Sequence, residues 1–334
     1  MALFKKLGID LGTANSLVWE VGRGLVLNEP TVVAVSLEDD KVLAVGKEAK
    51  AMLGRTPDYI VARRPMRDGV IADYEVTEAM LKFFIRQVCG STTLFKPEVL
   101  VCVPAGVTQV EQRAVIDAAL SAGARRAYLI DEPLAAAIGS QIPISDPSGN
   151  MIVDIGGGGC EVAVISLGGV VAHRSLRVGG NKLDEAIVNY LKKKHNLTIG
   201  EQTAERIKIE IGGALPRKKK KSLEISGRDA VTGLPRKYEI SSQEVAEALA
   251  EPLELILGAV KSVLEETPPE LVSDVVDKGV ILSGGTTLLH GLDKYLTGQL
   301  GVVCYLVEEP LLSVVKGTGL VLENLEVYKK SLKQ

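Results

Sequence analysis

Aromatic side chains are scarce in this chain, at 4 % with a single tryptophan. A core short of rings has to be built from Val, Ile, Leu and Ala, the composition of sheets buried on both faces. The four cysteines, Cys89, Cys102, Cys160 and Cys304, form no CxxC pair. That spacing argues against a disulfide framework or a cysteine zinc site and fits reduced thiols in the cytosol. His173, His195 and His290 have no ligand-like spacing, so they are expected to be structural or exposed. No apolar run approaches the ~18 residues of a membrane span, which leaves only peripheral membrane contact. Met1–Asp10 lacks the apolar stretch of a signal peptide, and a cytoplasmic protein is expected. The formal net charge of -3 offers no basic face, so nucleic acid is not an expected partner.

What is present is a chain of 334 residues, 46 % hydrophobic, 24 % charged and rich in glycine, long enough for two domains with separate cores. Leu7–Gly12, Leu17–Val21, Leu25–Leu27, Thr31–Val35, Val42–Val45, Val99–Val103 and Tyr128–Ile130 read as strands bounded by turn residues. Thr77–Val88 has helical spacing, with Ala79, Met80, Phe83, Phe84 and Val88 expected on one buried face. Thr108 followed by Glu111 marks a capping box that opens a helix to Ala122, and Glu132–Gly139 starts another. The apolar face of Val245–Leu264 is expected in the core. Pro143–Asn150 is polar and turn-forming, the best hinge candidate.

After that hinge the opening pattern recurs. Gly8-Ile9-Asp10-Leu11-Gly12 matches Ile152-Val153-Asp154-Ile155-Gly156, each a strand, an Asp-x-Gly turn and a second strand. Two such hairpins facing across a cleft would make a phosphate clamp. Glycines let the backbone approach phosphate oxygens, and clustered N–H groups form an anion nest. Copy one supplies Gly12, Thr13, Ala14 and Asn15; copy two supplies Gly156, Gly157, Gly158 and Gly159. Asp10 and Asp154 would be repelled by phosphate but suit a hydrated Mg²⁺, directly or through water.

The segments GIDLGTANS, DEPLAAAIG, VDIGGGGCEVAVISLGG, GGNKLDEAI, AERIKIEIG, TGLPR and LSGGTTLLHGLD together resemble the MreB family, in the family's order and over nearly the whole chain. The resemblance implies an α/β, actin-like ATPase fold of duplicated ribonuclease-H-like domains with two smaller subdomains. The first lobe would be 1–145 plus 316–334, with a small subdomain at about 31–65. The second would be 146–315, with a small subdomain at about 181–243. ATP or ADP with Mg²⁺ is the implied ligand. Glu132 stands where the family places the carboxylate that positions the attacking water. On its own it is an acid at a helix start, favoured there by the helix dipole. Glu205, Arg206, Ile207 and Lys208 lie on the helix that flanks the adenosine in the family; on its own, the Glu205/Lys208 pair is a surface salt bridge. Gly284, Gly285, Thr286, Thr287 and Leu288 resemble the other adenosine wall.

The implied function is an ATP-dependent, membrane-associated cytoskeletal filament that helps to set rod cell shape by organising cell-wall synthesis, with slow ATP hydrolysis coupled to polymerisation. Its partners would be further copies of itself, the inner face of the cell membrane and the cell-wall elongation machinery. A sugar kinase of the same superfamily is the alternative, although no Asp-bearing insertion for a sugar pocket is evident. Leu94 and Phe95, an apolar pair in a polar loop beside Lys96, are the candidate membrane contact. Leu3-Phe4-Lys5-Lys6 would be a smaller anchor. The basic run Arg217–Lys221 reads as a solvated loop. One departure from the family stands out: Gly159-Cys160 occupies the place of two threonines, so a hydroxyl that could serve the γ-phosphate or the water is missing there.

Overall fold

The computed structural model describes residues 4–67, 69–90, 96–217 and 219–333. Leu3, Leu94, Phe95 and Lys218 lie outside them.

The two Asp-x-Gly copies open two five-stranded sheets of one topology. In the first, Lys6–Leu11, Asn15–Glu20 and Gly24–Pro30 form an antiparallel meander. Glu98–Val103 then pairs parallel to Lys6–Leu11, and Arg126–Asp131 parallel to Glu98–Val103. In the second, Asn150–Ile155, Cys160–Ser166 and Gly169–Leu176 form the meander, followed by Val280–Ser283 and Cys304–Leu306 in parallel. Both sheets thus have the spatial order third, second, first, fourth, fifth. A strand pattern repeated with its connectivity is a duplication of the whole unit, beyond a shared short motif.

The inner strands of each sheet are covered on both faces, which is why they are runs of Val, Ile and Leu, while the outer strands Gly24–Pro30 and Gly169–Leu176 are largely exposed or half-buried. Side chains alternate between faces with a period of two. Val99, Val101 and Val103 therefore join one core, and Leu100 and Cys102 another. The second set meets Ile152, Ala163 and Ile165 of the other sheet around two helices, Glu132–Gly139 and Ser313–Glu323. These helices cross very closely. A Cβ at Gly317 would lie 1.9 Å from the Ala135 carbonyl oxygen, and one at Gly139 would lie 1.8 Å from that of Ser313. Only glycine fits either position.

Two three-stranded sheets complete the molecule: Val33–Ser36, Val42–Val45 and Ile60–Arg63, and Leu197–Thr198, Ser222–Asp229 and Pro235–Ser241. The helix Lys47–Met52 packs on the former, and the helix Glu201–Ile211 adjoins the latter. The long helix Ser242–Glu266 buries Val245, Leu249, Ile256, Val260 and Val263, as its pattern predicts.

Two local expectations change. The helix beginning near Thr77 runs Tyr74–Cys89, capped by the Asp73 side chain. It buries Val76, Thr77, Met80, Leu81, Phe84 and Ile85, while Phe83 is exposed. The buried stripe runs through the adjacent pairs Val76/Thr77, Met80/Leu81 and Phe84/Ile85, four residues apart, and Phe83 falls outside it. The expected hinge is also pinned. Gly149 N–H donates to Asp274 at 2.7 Å, and the Ile144 carbonyl accepts from Gly168 N–H at 2.7 Å.

Candidate nucleotide site

Asp10 and Asp154 sit near the ends of equivalent first strands, so the duplication brings them to the mouth of one cavity of about 440 Å³. Its wall contains Gly12–Asn15 from the first hairpin and Gly156–Gly159 from the second. The hairpins touch: a Cβ at Gly157 would be 2.5 Å from that of Ala14, and one at Gly158 would be 2.1 Å from Thr13 Oγ1. Thr31 Oγ1 donates to Gly12 O at 2.6 Å and fixes the first loop. The second loop is held by Gly180 N–H and Asn181 N–H, which donate to the carbonyls of Gly156 and Gly157 at 3.0 and 2.8 Å. Those donors belong to the first turn of the helix Gly180–His195, so these N–H groups are taken up by the hairpin and the positive end of the helix dipole is what remains to favour an anion there.

Four carboxylates gather at one end of the cavity: Asp10, Glu132, Asp154 and Glu161. Burial, and then the charge of Asp154, push Asp10 up to about 7. Burial likewise pushes Asp154 up to about 6. Glu132 is held well above the usual carboxylate range by burial, then by the charges of Glu161, Asp10 and Asp154. Burial raises Glu161 to about 7 against hydrogen bonds from Ser175 and Ala105. Cys102 Sγ donates to Asp10 Oδ1 at 3.4 Å. Asp154 Oδ1 is buried without a hydrogen-bond partner among the described residues. Closely spaced like charges with an orphaned oxygen are what a divalent cation relieves, and hard carboxylate oxygens are the ligands Mg²⁺ takes. The residues present therefore suit a divalent cation, which Asp10 and Asp154 would hold.

At the other end, Glu205, Lys208, Gly284, Gly285, Thr286 and Leu288 line the wall. Lys208 Nζ donates to Gly180 O and to Asp184, both at 2.9 Å, and Thr286 Oγ1 donates to Gly156 O at 2.8 Å. Glu205 also meets Lys50 from across the cleft at 3.0 Å. The neighbours of these residues behave differently. Ile207 is fully buried in the core behind the helix, and Arg206 is exposed outside the cavity wall. Thr287 is buried, its hydroxyl donating to Gly284 O at 2.6 Å. Helical periodicity explains the first two: with Glu205 and Lys208 facing the cavity, the residues between them point elsewhere.

Other residues enter the wall unannounced. Arg217, expected in a solvated loop, is half-buried, and its guanidinium donates to Gly212 O at 2.8 Å. His290 borders the same end. The chief omission is Glu161. In the hairpin registers Asp10 faces Leu17, whereas Asp154 faces Glu161. A single carboxylate in the otherwise uncharged, mostly apolar strand Cys160–Ser166 was the signal available. Cys160 packs fully buried in a further core with Ile155, Val162 and Val178, while Gly159 and Glu161 line the cavity.

Two ribonuclease-H-like halves that press glycine-rich hairpins together over a carboxylate cluster define the actin-type fold. The solved MreB5 of Spiroplasma citri bound to AMPPNP superposes with a TM-score of 0.93 at 34 % identity, covering 99 % of both chains. The MamK double helical filament shares the fold at a TM-score of 0.81 and 22 % identity, covering 96 % of this chain and 98 % of MamK. The model of the MreB/Mbl protein family matches residues 4–330, and the chain belongs to that family. It is 50 % identical over 326 residues to the cell shape-determining protein Mbl of Bacillus subtilis (strain 168), covering 98 % of each. It is 51 % identical over 327 residues to the cell shape-determining protein MreB of Escherichia coli (strain K12), covering 96 % of this chain and 94 % of that protein.

Proposed function

We propose that this chain is a cell-shape filament subunit that binds ATP or ADP with Mg²⁺ and hydrolyses ATP slowly as a timer for assembly. The observation that carries the reading is the contact of the two hairpins, Thr13–Ala14 against Gly157–Gly158, above four carboxylates in one cavity, Asp154 and Glu161 buried and Asp10 and Glu132 half-buried. Phosphates fit the hairpin N–H groups and the helix end at Gly180. A cation held by Asp10 and Asp154 would neutralise charge on the phosphates. Glu132, at the same end, would orient a water, and the ribose and base would occupy the end bounded by Glu205, Lys208, Gly284–Thr286 and Leu288. The solved S. citri relative is bound to AMPPNP in one structure and to ADP in another, which supports the same ligand class here. Membership of the MreB/Mbl family speaks for a cytoskeletal role and against a sugar kinase.

Filaments of this subunit would lie on the inner face of the cell membrane, with Leu94 and Phe95 as the lipid contact, and would organise the cell-wall elongation machinery. No described helix is long and apolar enough to cross a membrane, so attachment would be peripheral, with weak single contacts summed along a filament. Titration calorimetry with ATP, with and without Mg²⁺, and negative-stain imaging after ATP addition test the core of this reading. Mg²⁺-dependent binding and long filaments are expected; absence of either under all nucleotide conditions overturns it.

A further inference from the structure

Around the carboxylate end of the cavity the contacts close into a ring. Gly69 N–H donates to Thr13 Oγ1 of the first hairpin at 3.1 Å. Gly69 lies against Pro104, whose ring carbon would be 2.8 Å from a Cβ there. Ala105 N–H, next in the chain, donates to Glu161 Oε2 at 3.2 Å, and the Ser175 hydroxyl donates to Glu161 Oε1. Glu161 follows the second hairpin by two residues, and that hairpin meets Thr13 again. Glu161 is therefore the link by which the second half holds the Pro104–Ala105 turn of the first half over the cavity.

Its position bears on the missing threonines. Strand alternation sends Cys160 into the core and returns Glu161 to the cavity, where Gly159 contributes no side chain. Glu161 is the first polar side chain after the second hairpin to reach the chamber. It is buried, with only 5 % of its surface accessible. Its two oxygens already accept the Ser175 and Ala105 hydrogen bonds, so the carboxylate is fixed in orientation before any ligand arrives. A carboxylate oxygen has two acceptor sites, and each oxygen here keeps one.

We infer that Glu161 is a second positioning carboxylate of the hydrolytic site, orienting the attacking water together with Glu132 and holding the Pro104–Ala105 turn over it. This rests on the ATPase reading above. A preset acceptor beside the water raises the fraction of bound states aligned with the γ-phosphate, which acts on turnover and leaves ground-state affinity alone.

The test compares the full-length wild type with Glu161→Gln, Glu161→Ala, Ser175→Ala and Glu132→Gln. Nucleotide affinity is read by calorimetry, phosphate release from ATP-assembled protein by a coupled assay, and folding by thermal unfolding. Glu161→Ala is expected to slow phosphate release at least ~10-fold while the ATP dissociation constant stays within about 3-fold. Glu161→Gln, which keeps one acceptor oxygen, should fall between wild type and alanine. Ser175→Ala, which frees one oxygen from its anchor and leaves the carboxylate in place, should slow release about 2- to 5-fold. If Glu132→Gln stops turnover but both Glu161 variants keep wild-type rates, the inference fails and the ATPase reading stands. Parallel loss of affinity, melting temperature and turnover in both Glu161 variants and Ser175→Ala would make Glu161 structural only and also overturn it. Wild type that binds ATP, assembles and never releases phosphate would sink the ATPase reading and this inference together.

Discussion

Replacing Gly159 with threonine should raise the hydrolysis rate, and replacing Cys160 should not. In the strand that leaves the second hairpin, Gly159 and Glu161 face the cavity, while Cys160 faces a core of Ile155, Val162 and Val178 and is fully buried. A Cβ at Gly159 would meet one close neighbour, the Leu176 carbonyl oxygen at 3.1 Å, and its backbone is outside the left-handed region. A shift of a few tenths of an ångström accommodates it. The new hydroxyl would sit beside the phosphate chamber. Loss of one donor to developing charge typically slows an enzyme about 10²–10³-fold, so a donor added without optimisation should recover ~10- to 100-fold. Cys160→Thr places a hydroxyl in an apolar core, at a cost of about 1–3 kcal/mol and with no route to the nucleotide. Phosphate release from assembled Gly159→Thr, Cys160→Thr and double variants, beside their ATP affinities, separates the effects. If Gly159→Thr binds ATP as wild type and is no faster, the missing hydroxyl does not limit hydrolysis. If Cys160→Thr alone accelerates release, the facing assigned to this strand is wrong.

Asp10 and Asp154, raised by burial to about 7 and about 6 in the folded state, favour protonation there more than in the unfolded chain. The stability this confers is full below the ordinary carboxylate pKa and is lost as pH rises through the folded values. The nucleotide-free protein should therefore melt at lower temperature at pH 8 than at pH 5.5, and Asp154→Asn should flatten the slope in a scanning thermal assay. The same variant should lose most Mg²⁺-dependent tightening of ATP binding in calorimetry; unchanged affinity would show that Asp154 does not hold the cation. Leu94→Ser with Phe95→Ser is expected to reduce co-sedimentation with anionic liposomes, and undiminished pelleting would rule that pair out as the membrane contact. Gly317→Ala drives a methyl into the Ala135 carbonyl oxygen, and since backbone yields little, a loss of at least ~1–3 kcal/mol is expected from the urea midpoint. A midpoint equal to wild type would mean that the two central helices are less tightly crossed.

The hairpins and their aspartates were legible because an Asp-x-Gly turn between two strands is a local pattern, and its repetition tells where both copies belong. The capping box at Thr108 and Glu111 was legible for the same reason, its two reciprocal hydrogen bonds joining residues three apart. Glu161 is not legible in the same way, because it stands inside an apolar strand and only its register opposite Asp154 reveals that it faces the cavity. Ile207 shares a short run with Glu205 and Lys208, but a helix presents only one face to the cavity, and Ile207 is on the other.

The sequence by itself determined the elements, the duplication and the kind of chemistry, since periodicity, turns and short motifs act over a few residues. Tertiary structure alone decided which way each element faces. Phe84 is buried and Phe83 exposed, Arg217 turns toward the cavity, and Cys160 packs inward while Glu161 lines the chamber. Those choices depend on partners far away in the chain, Ala105 for Glu161 among them. A side chain's facing follows the total burial and hydrogen bonding available in the assembled fold, which no local window contains.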